Sequence, residues 1–286
     1  MQIPFLNITQ QGKVKPLNTN SPNLTLEQLI TQLPLTESVC RIISLTGGGG
    51  KTSLMYRWAA CLKAGGLPVI TTTTTKLAAS PREDSRFVEV STLETAMAVV
   101  EKNINTGAQS SCTTITLVSD RPAPTGKVSG IEPQWVDLLA ERFPGVFFIV
   151  EADGSAGKSL KGYQDYEPVI PARTSLLIPV VGLDALGCPA DSTHVHRPEI
   201  FRRIAGLAAD ELISSATVCT ALLHPAGYLR TAPPQAMILP LLNKAETPQL
   251  QQLGQELARC ILSARHRQIG AVLVGSVKSN RFARFL

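Results

Sequence analysis

Short, nearly continuous apolar runs recur along the chain, separated by longer segments whose apolar residues return every three or four positions. The runs are Arg41–Thr46, Pro68–Thr71, Phe87–Val90, Ile115–Val118, Val146–Val150, Leu176–Val181, Ala236–Leu242 and Ala271–Val274, and each predicts a strand. Lys51–Ala64 predicts a helix with Leu54, Trp58, Cys61 and Leu62 on one face, stopped by Gly65-Gly66. Glu132–Phe143 predicts another, carrying Trp135, Leu138, Leu139 and Phe143, and Pro198–Leu207 and Gln249–Leu262 predict two more. Thr25 reads as the cap of an earlier helix start. Strands alternating with helices predict an α/β fold, a mostly parallel sheet with helices on both faces. Near-continuous apolar strands agree with burial on both sides. Pro179 and Pro240 predict edge or terminal positions for their strands.

Residues 1 to 23, rich in Asn, Gln, Pro and Thr, read as a loose leader. Residues 24–286 read as a single α/β unit with an accessory portion after about residue 155. Pro122–Gly130 reads as a mobile connector. The 286 residues suffice for a sizeable core, and a net charge of +5 suits an anionic ligand. The charges form no like-signed block, so no nucleic-acid partner is expected. No run of about 18 apolar residues suggests a membrane span, and the N-terminus lacks the pattern of a secretory signal. The six cysteines are scattered without a C-x-x-C pair, which argues against a zinc site or a disulfide framework and suits a cytoplasmic protein.

Chemistry enters where the first strong strand meets the first strong helix. Gly47-Gly48-Gly49-Gly50-Lys51-Thr52-Ser53 occupies that junction. Glycines permit the backbone angles that aim successive N–H groups into one concavity, and a helix start adds positive potential. Lys51 would reach the β- and γ-phosphates, and the Thr52 hydroxyl would ligate Mg²⁺. Leu45 stands where the common phosphate-loop pattern has its first glycine, so the fit is to a shorter form, Gly47-x-x-Gly50-Lys51-Thr52, resembling the loop of the Mur ligases. The expected fold is therefore P-loop NTPase-like, with ATP or GTP as ligand.

Phe147–Val150 leads into Glu151-Ala152-Asp153-Gly154, an apolar strand ending in acids. At the carboxyl end of a strand such acids can hold Mg²⁺ or orient an attacking group. Glu151, Asp153 and Lys51 are the candidate catalytic residues, and Thr52 and Asp153 the candidate Mg²⁺ ligands. Thr73, within Thr71–Thr75, is a further metal candidate, although threonine is also an ordinary strand residue. Lys158 and Lys161 lie in a second Gly-Lys-Ser segment that reads as a closing loop. Asn243-Lys244-Ala245-Glu246 resembles the guanine-reading Asn-Lys-x-Asp of GTPases with Glu in the place of Asp, which makes Asn243 and Lys244 nucleotide-binding candidates. His194 and His196 sit near Asp191, where a metal site and a polar loop before Pro198 are both open readings. Cys188 reads as a reactive or a structural thiol.

Together, Gly47–Thr52, Thr71–Lys76, Glu151–Gly154, Glu167–Pro171, Val181–Gly187, His194–Glu199 and Leu242–Lys244 resemble the YqeC family, the selenium cofactor biosynthesis or selenium-dependent hydroxylase accessory proteins. The resemblance spans about residues 41 to 275. It implies a nucleotide-binding protein that helps mature molybdenum hydroxylases needing a labile selenium cofactor, with such a hydroxylase or a cofactor-maturation protein as partner. Three functions follow as expectations: a Mg²⁺-dependent NTP-hydrolysing accessory protein; a Mur-ligase-like ligase or kinase whose acceptor meets Lys158, Lys161 or His196; and a non-catalytic nucleotide sensor.

Overall fold

The structure, a computed structural model, describes residues 21–33, 41–78, 85–105, 114–120 and 126–286. In chain order the elements are β1 (Ser21–Leu24), α1 (Leu26–Gln32), β2 (Ile42–Gly47), α2 (Lys51–Ala64), β3 (Val69–Thr73), β4 (Lys76–Ala78), β5 (Ser85–Glu89) and α3 (Leu93–Asn105). They continue with β6 (Thr114–Val118), β7 (Lys127–Ser129), α4 (Pro133–Arg142), β8 (Phe147–Glu151), β9 (Leu160–Lys161) and β10 (Leu176–Gly182), which runs into a 3-10 turn, Leu183–Ala185. The last are β11 (Val195–His196), α5 (Pro198–Ala205), α6 (Ser215–Leu223), β12 (Met237–Ile238), β13 (Leu241–Asn243), α7 (Pro248–Ser263), β14 (Val272–Ser276) and β15 (Arg281–Phe285).

The main sheet has the order β1-β15-β14-β13-β10-β2-β8-β3-β6-β5, with β12 pairing β10. All its pairs are parallel except β14–β15 and β1–β15. Side chains alternate between its faces with period two. Ile43, Leu45 and Ile149 join Leu26, Leu54, Trp58 and Leu62 on the face covered by α1 and α2. Ile42, Phe148 and Val150 point the other way and pack under Val100, Val136 and Leu139 of α3 and α4. Leu177, Val181 and Leu242 pack with Phe201, Val218 and Leu257 of α5 to α7. The expected α/β fold, with a mostly parallel sheet between helices, is what the structure has.

Four local expectations are corrected. Ser21–Leu24, of which the first three residues were assigned to the leader, forms strand β1 against β15; residues 1–20 lie outside the described residues. Part of the Pro122–Gly130 connector also lies outside them, but Lys127–Ser129 is strand β7, paired with β4. Leu138 faces solvent, and Val136, Leu139 and Ala140 are the buried positions of α4.

The last correction is Pro179, which lies in the interior strand β10, between β2 and the β12/β13 side. The ladder on that second side is broken there: β12 pairs with Leu176 and Leu177, and β13 resumes only at Val180. The Leu177 carbonyl accepts from Leu239 N–H on that side, so position 179, two residues on, has its missing donor at the break. Pro240 occupies the same gap, which is why one apolar run, Ala236–Leu242, yields two short strands. A proline is tolerated in a central strand where its partner has already let go.

The order of the strands places a crevice. From β2 the chain leaves through α2 toward β3, on the β8 side; from β10 it leaves toward β13, on the opposite side. Connections that diverge from two adjacent parallel strands open a crevice at their carboxyl ends, where open α/β sheets bind ligands.

Candidate functional site

Gly47 to Gly50 occupy that crevice. Gly47, Gly49 and Gly50 have φ of +92°, +79° and +126°, conformations that L side chains rarely adopt. The neighbours are also too close for a side chain, since a Cβ on Gly47 would stand 2.2 Å from the Val180 carbonyl oxygen and one on Gly49 2.6 Å from Gly182 Cα. The Gly47 N–H donates to Asp153 Oδ2 (2.9 Å), Gly48 N–H to the Val180 carbonyl (2.9 Å) and Gly49 N–H to the Lys158 carbonyl (2.8 Å). The next four amides, Gly50 to Ser53, form the start of α2, where no intrahelical carbonyl can reach and no side chain caps. Four donors without a partner among the described residues, at the positive end of a 14-residue helix, suit an anion.

Beside them runs a chain of charges of alternating sign. Lys51 Nζ lies 3.0 Å from Asp153 Oδ1 and 3.8 Å from Glu151 Oε1, and also donates to the Gly47 carbonyl. Asp153 Oδ2 lies 3.5 Å from Lys161 Nζ, which lies 3.1 Å from Glu167 Oε1; Glu167 Oε2 accepts from Arg197. Lys161 Nζ also donates to the Gly154 carbonyl (2.6 Å) and lies 4.9 Å from the centre of the Tyr163 ring. Three cations thus face three carboxylates, and all but Arg197 are buried. Thr52 Oγ1 donates to Glu151 Oε2 (2.7 Å), tying the helix start to the end of β8.

Burial pulls the Lys51 ammonium down, but Asp153 and Glu151 outweigh it and leave its pKa above 10.5. For Glu151 burial prevails over Lys51 and the Thr52 hydroxyl, and the neighbouring Asp153 charge adds to it, so the pKa is raised. Burial likewise wins at Lys161, whose pKa is lowered in spite of Asp153 and Glu167. Tyr163, buried near Asp153, titrates well above its ordinary value. Lys51 is the firmly charged group, placed where an incoming anion would compete with Asp153 for it.

The remaining sequence candidates fall as follows. Asn243 is buried against the loop, its Nδ2 donating to the Gly49 carbonyl (2.7 Å). Lys244 Nζ donates to Ser159 Oγ (2.7 Å) and to Asp184 Oδ2 (2.8 Å). The Thr73 hydroxyl donates to the Glu151 carbonyl (2.8 Å) inside the sheet. Lys158 contributes its carbonyl to the loop, while Lys161, read as part of a closing loop, is a buried member of the ion chain. Cys188 Sγ approaches the Asp184 carbonyl at 3.6 Å. His194 Nδ1 is 3.1 Å from Asp191 Oδ1; among the described residues no three His, Cys, Asp or Glu side chains are grouped to hold a metal ion.

His196 is half-buried in β11, which pairs with β9 and so sits beside Lys161. Burial first, then Arg197 and Lys161, lowers its pKa below 6.5. Between that lowered value and 6.5 the unfolded chain binds more protons than the folded one, so stability rises with pH through this window. Thermal midpoints at about pH 5 and pH 7 should differ less in His196→Gln than in the wild type, because subtraction of the variant isolates this group; an unchanged difference would dismiss the assignment.

Glu167 and Arg197 were not named as site residues by the sequence, although both stand in segments that carry the family resemblance. Tyr163 and Tyr228 were not singled out either. Tyr228 Oη accepts from the Lys161 N–H (3.1 Å), and the two rings meet edge to face at 5.1 Å. No signal in the sequence marks them, since the segments around Lys161, Glu167 and Arg197 are largely polar.

The fold and site define an α/β protein with a mostly parallel sheet and a glycine loop at the carboxyl end of a central strand. No helix among the described residues is long and apolar enough to cross a membrane. The chain belongs to the YqeC family: the family model described as YqeC protein matches residues 43–199. It is also similar to the protein named "Uncharacterized protein YqeC" of Escherichia coli (strain K12), 33% identical over 192 residues that cover 67% of this chain and 71% of that one. No solved structure matches. The residues matched by the family model include every member of the charge chain and stop short of Asn243.

Proposed function

We propose that the glycine loop binds the phosphates of ATP or GTP and that the protein hydrolyses the bound nucleotide with Mg²⁺. The observation that carries this reading is the convergence of Lys51, Glu151 and Asp153 at the open start of α2, at the ends of the adjacent strands β2 and β8. The amides of Gly50 to Ser53 supply donors in a fixed arc. Lys51, held by Asp153, is one side-chain rotation from a phosphate. Once it turns, Asp153 keeps its charge balanced by Lys161 and its place by the Gly47 N–H. Asp153 Oδ1 is then free to orient a water for in-line attack.

The donor set fits Mg²⁺, a cation that takes oxygen ligands: Thr52 Oγ1 and the carboxylates of Glu151 and Asp153 are oxygens, and Thr52 and Glu151 already meet. When bound, the ion neutralises charge that develops on the phosphates. Placement of this activity in the maturation of selenium-dependent molybdenum hydroxylases is supported by the family resemblance.

Phosphate release from the purified protein with ATP or GTP and Mg²⁺ tests the reading. Release without an added acceptor supports hydrolysis, turnover only with a small acceptor supports a ligase or kinase, and binding without turnover supports a sensor. Asp153→Asn keeps an oxygen for the Gly47 N–H and loses the charge. It should retain nucleotide-dependent thermal stabilisation while turnover falls by about a hundredfold or more. Wild-type turnover in this variant refutes the role given to Asp153.

A further inference from the structure

We infer that the cleft beside the glycine loop is a nucleobase site that selects guanine, with Glu246 as the residue that reads it; the inference rests on the nucleotide reading above. The cleft has a volume of about 1140 Å³, ample for a nucleoside. It begins at Gly49, Gly50 and Ser53, the outer side of the loop, and runs along α2 past Arg57. Its far wall is made by the turns that follow β13 and β14, with Glu246 in the first and Val277 in the second. The cleft adjoins the start of α2, where the phosphates of a bound nucleotide would sit, and offers room for its sugar and base.

The walls are tied to the loop. Asn243 donates from Nδ2 to the Gly49 carbonyl and accepts at Oδ1 from the Val277 N–H (2.9 Å), so one buried side chain joins the glycine loop to both turns. The turn after β13 is fixed by the Ala245 N–H on the Gly275 carbonyl (3.0 Å), and the turn after β14 by Arg57 on the Val277 carbonyl. From the turn after β13, the Glu246 side chain reaches Ser276 at the end of β14. Ser276 Oγ lies 3.2 Å from its Oε1 and steadies a side chain one methylene longer than aspartate. Its other oxygen has no hydrogen bond to a described residue.

An ionised carboxylate only accepts. Guanine presents two adjacent donors, N1–H and the exocyclic amine, which one carboxylate can take together. Adenine presents a donor beside the N1 lone pair, which a carboxylate repels. Hypoxanthine keeps the N1–H and lacks the amine. The edge that Glu246 matches is therefore that of guanine, and a bidentate match of this kind discriminates by about tenfold or more.

Affinities for GTP, ITP, ATP and inorganic tripolyphosphate, each with Mg²⁺, are measured by calorimetry on the wild type, Glu246→Gln and Glu246→Asp. The expected order is GTP, then ITP, then ATP, with GTP ahead of ATP by at least about tenfold. Glu246→Gln should bring GTP and ATP together while leaving tripolyphosphate affinity unchanged, and Glu246→Asp should retain the preference. ATP equal to or tighter than GTP in the wild type, or a GTP preference that survives in Glu246→Gln, overturns the inference while tripolyphosphate binding leaves the phosphate loop standing. Absence of binding by all four, tripolyphosphate included, removes the nucleotide reading itself and this inference with it.

Discussion

Lys51→Ala should weaken ATP or GTP binding by about 2–5 kcal/mol, which turns a micromolar site into one of about tens of micromolar to a few millimolar. The ammonium is buried, firmly charged and within 3.0 Å of Asp153, so the energy it can give a phosphate is not diluted by water. Its loss also leaves Asp153 with less compensation beside the cradle, so a phosphate would meet a carboxylate that has only Lys161 opposite it. Both effects act in one direction. Affinity unchanged from wild type in a calorimetric titration would sink the phosphate-loop assignment. Circular dichroism of the ligand-free variant separates this result from simple misfolding.

Lys161→Met should lower the unfolding free energy by about 3–5 kcal/mol, because it removes the central cation of a buried ion chain and keeps only its stem. Asp153 and Glu167 would each lose one partner, at 3.5 Å and 3.1 Å, and the Gly154 carbonyl would lose its donor at 2.6 Å. Asp153 would keep Lys51, and Glu167 would keep Arg197, which favours the lower end of that range. Addition of Glu167→Gln should restore part of the loss, since the two residues are in contact and their effects are not additive. Urea unfolding of the two single variants and the double variant measures the coupling. A Lys161→Met protein within about 0.5 kcal/mol of wild type would mean that the ion chain adds nothing to the fold.

The parts of this molecule that were legible in the sequence are those fixed by neighbours along the chain. Helix α2 begins at Lys51 and ends at Ala64 as its apolar spacing and glycine stop predict. The Thr25 cap is present with its reciprocal Gln28 contact. Strand β8 delivers Glu151 and Asp153 to the glycine loop, as an apolar run ending in acids suggests. What was not legible depends on residues distant in sequence. The small β9–β11 pair brings Lys161 to His196, and only that pairing sets Arg197 beside Glu167. Neither spacing nor propensity encodes it. Pro179 misled for a related reason: whether a proline interrupts a sheet depends on what its neighbouring strand does, and here that neighbour was already interrupted by Pro240. The edge strand β1 and its neighbour β15 were missed because short antiparallel strands with polar positions carry a weak pattern.

The glycine loop has a bearing on how the protein comes to be made. Its shape is held by Asp153, 106 residues later, by the carbonyls of Lys158 and Val180, and by Asn243, 194 residues from Gly49. A ribosome that has finished Gly47–Thr52 has therefore produced the letters of the motif and none of its geometry. Contacts this far apart along the chain form late, since the entropy of closing long loops opposes them. Nascent chains and fragments that end before β8 would carry all four glycines without the contacts that shape them, so the proposed phosphate cradle requires a chain built past Asn243.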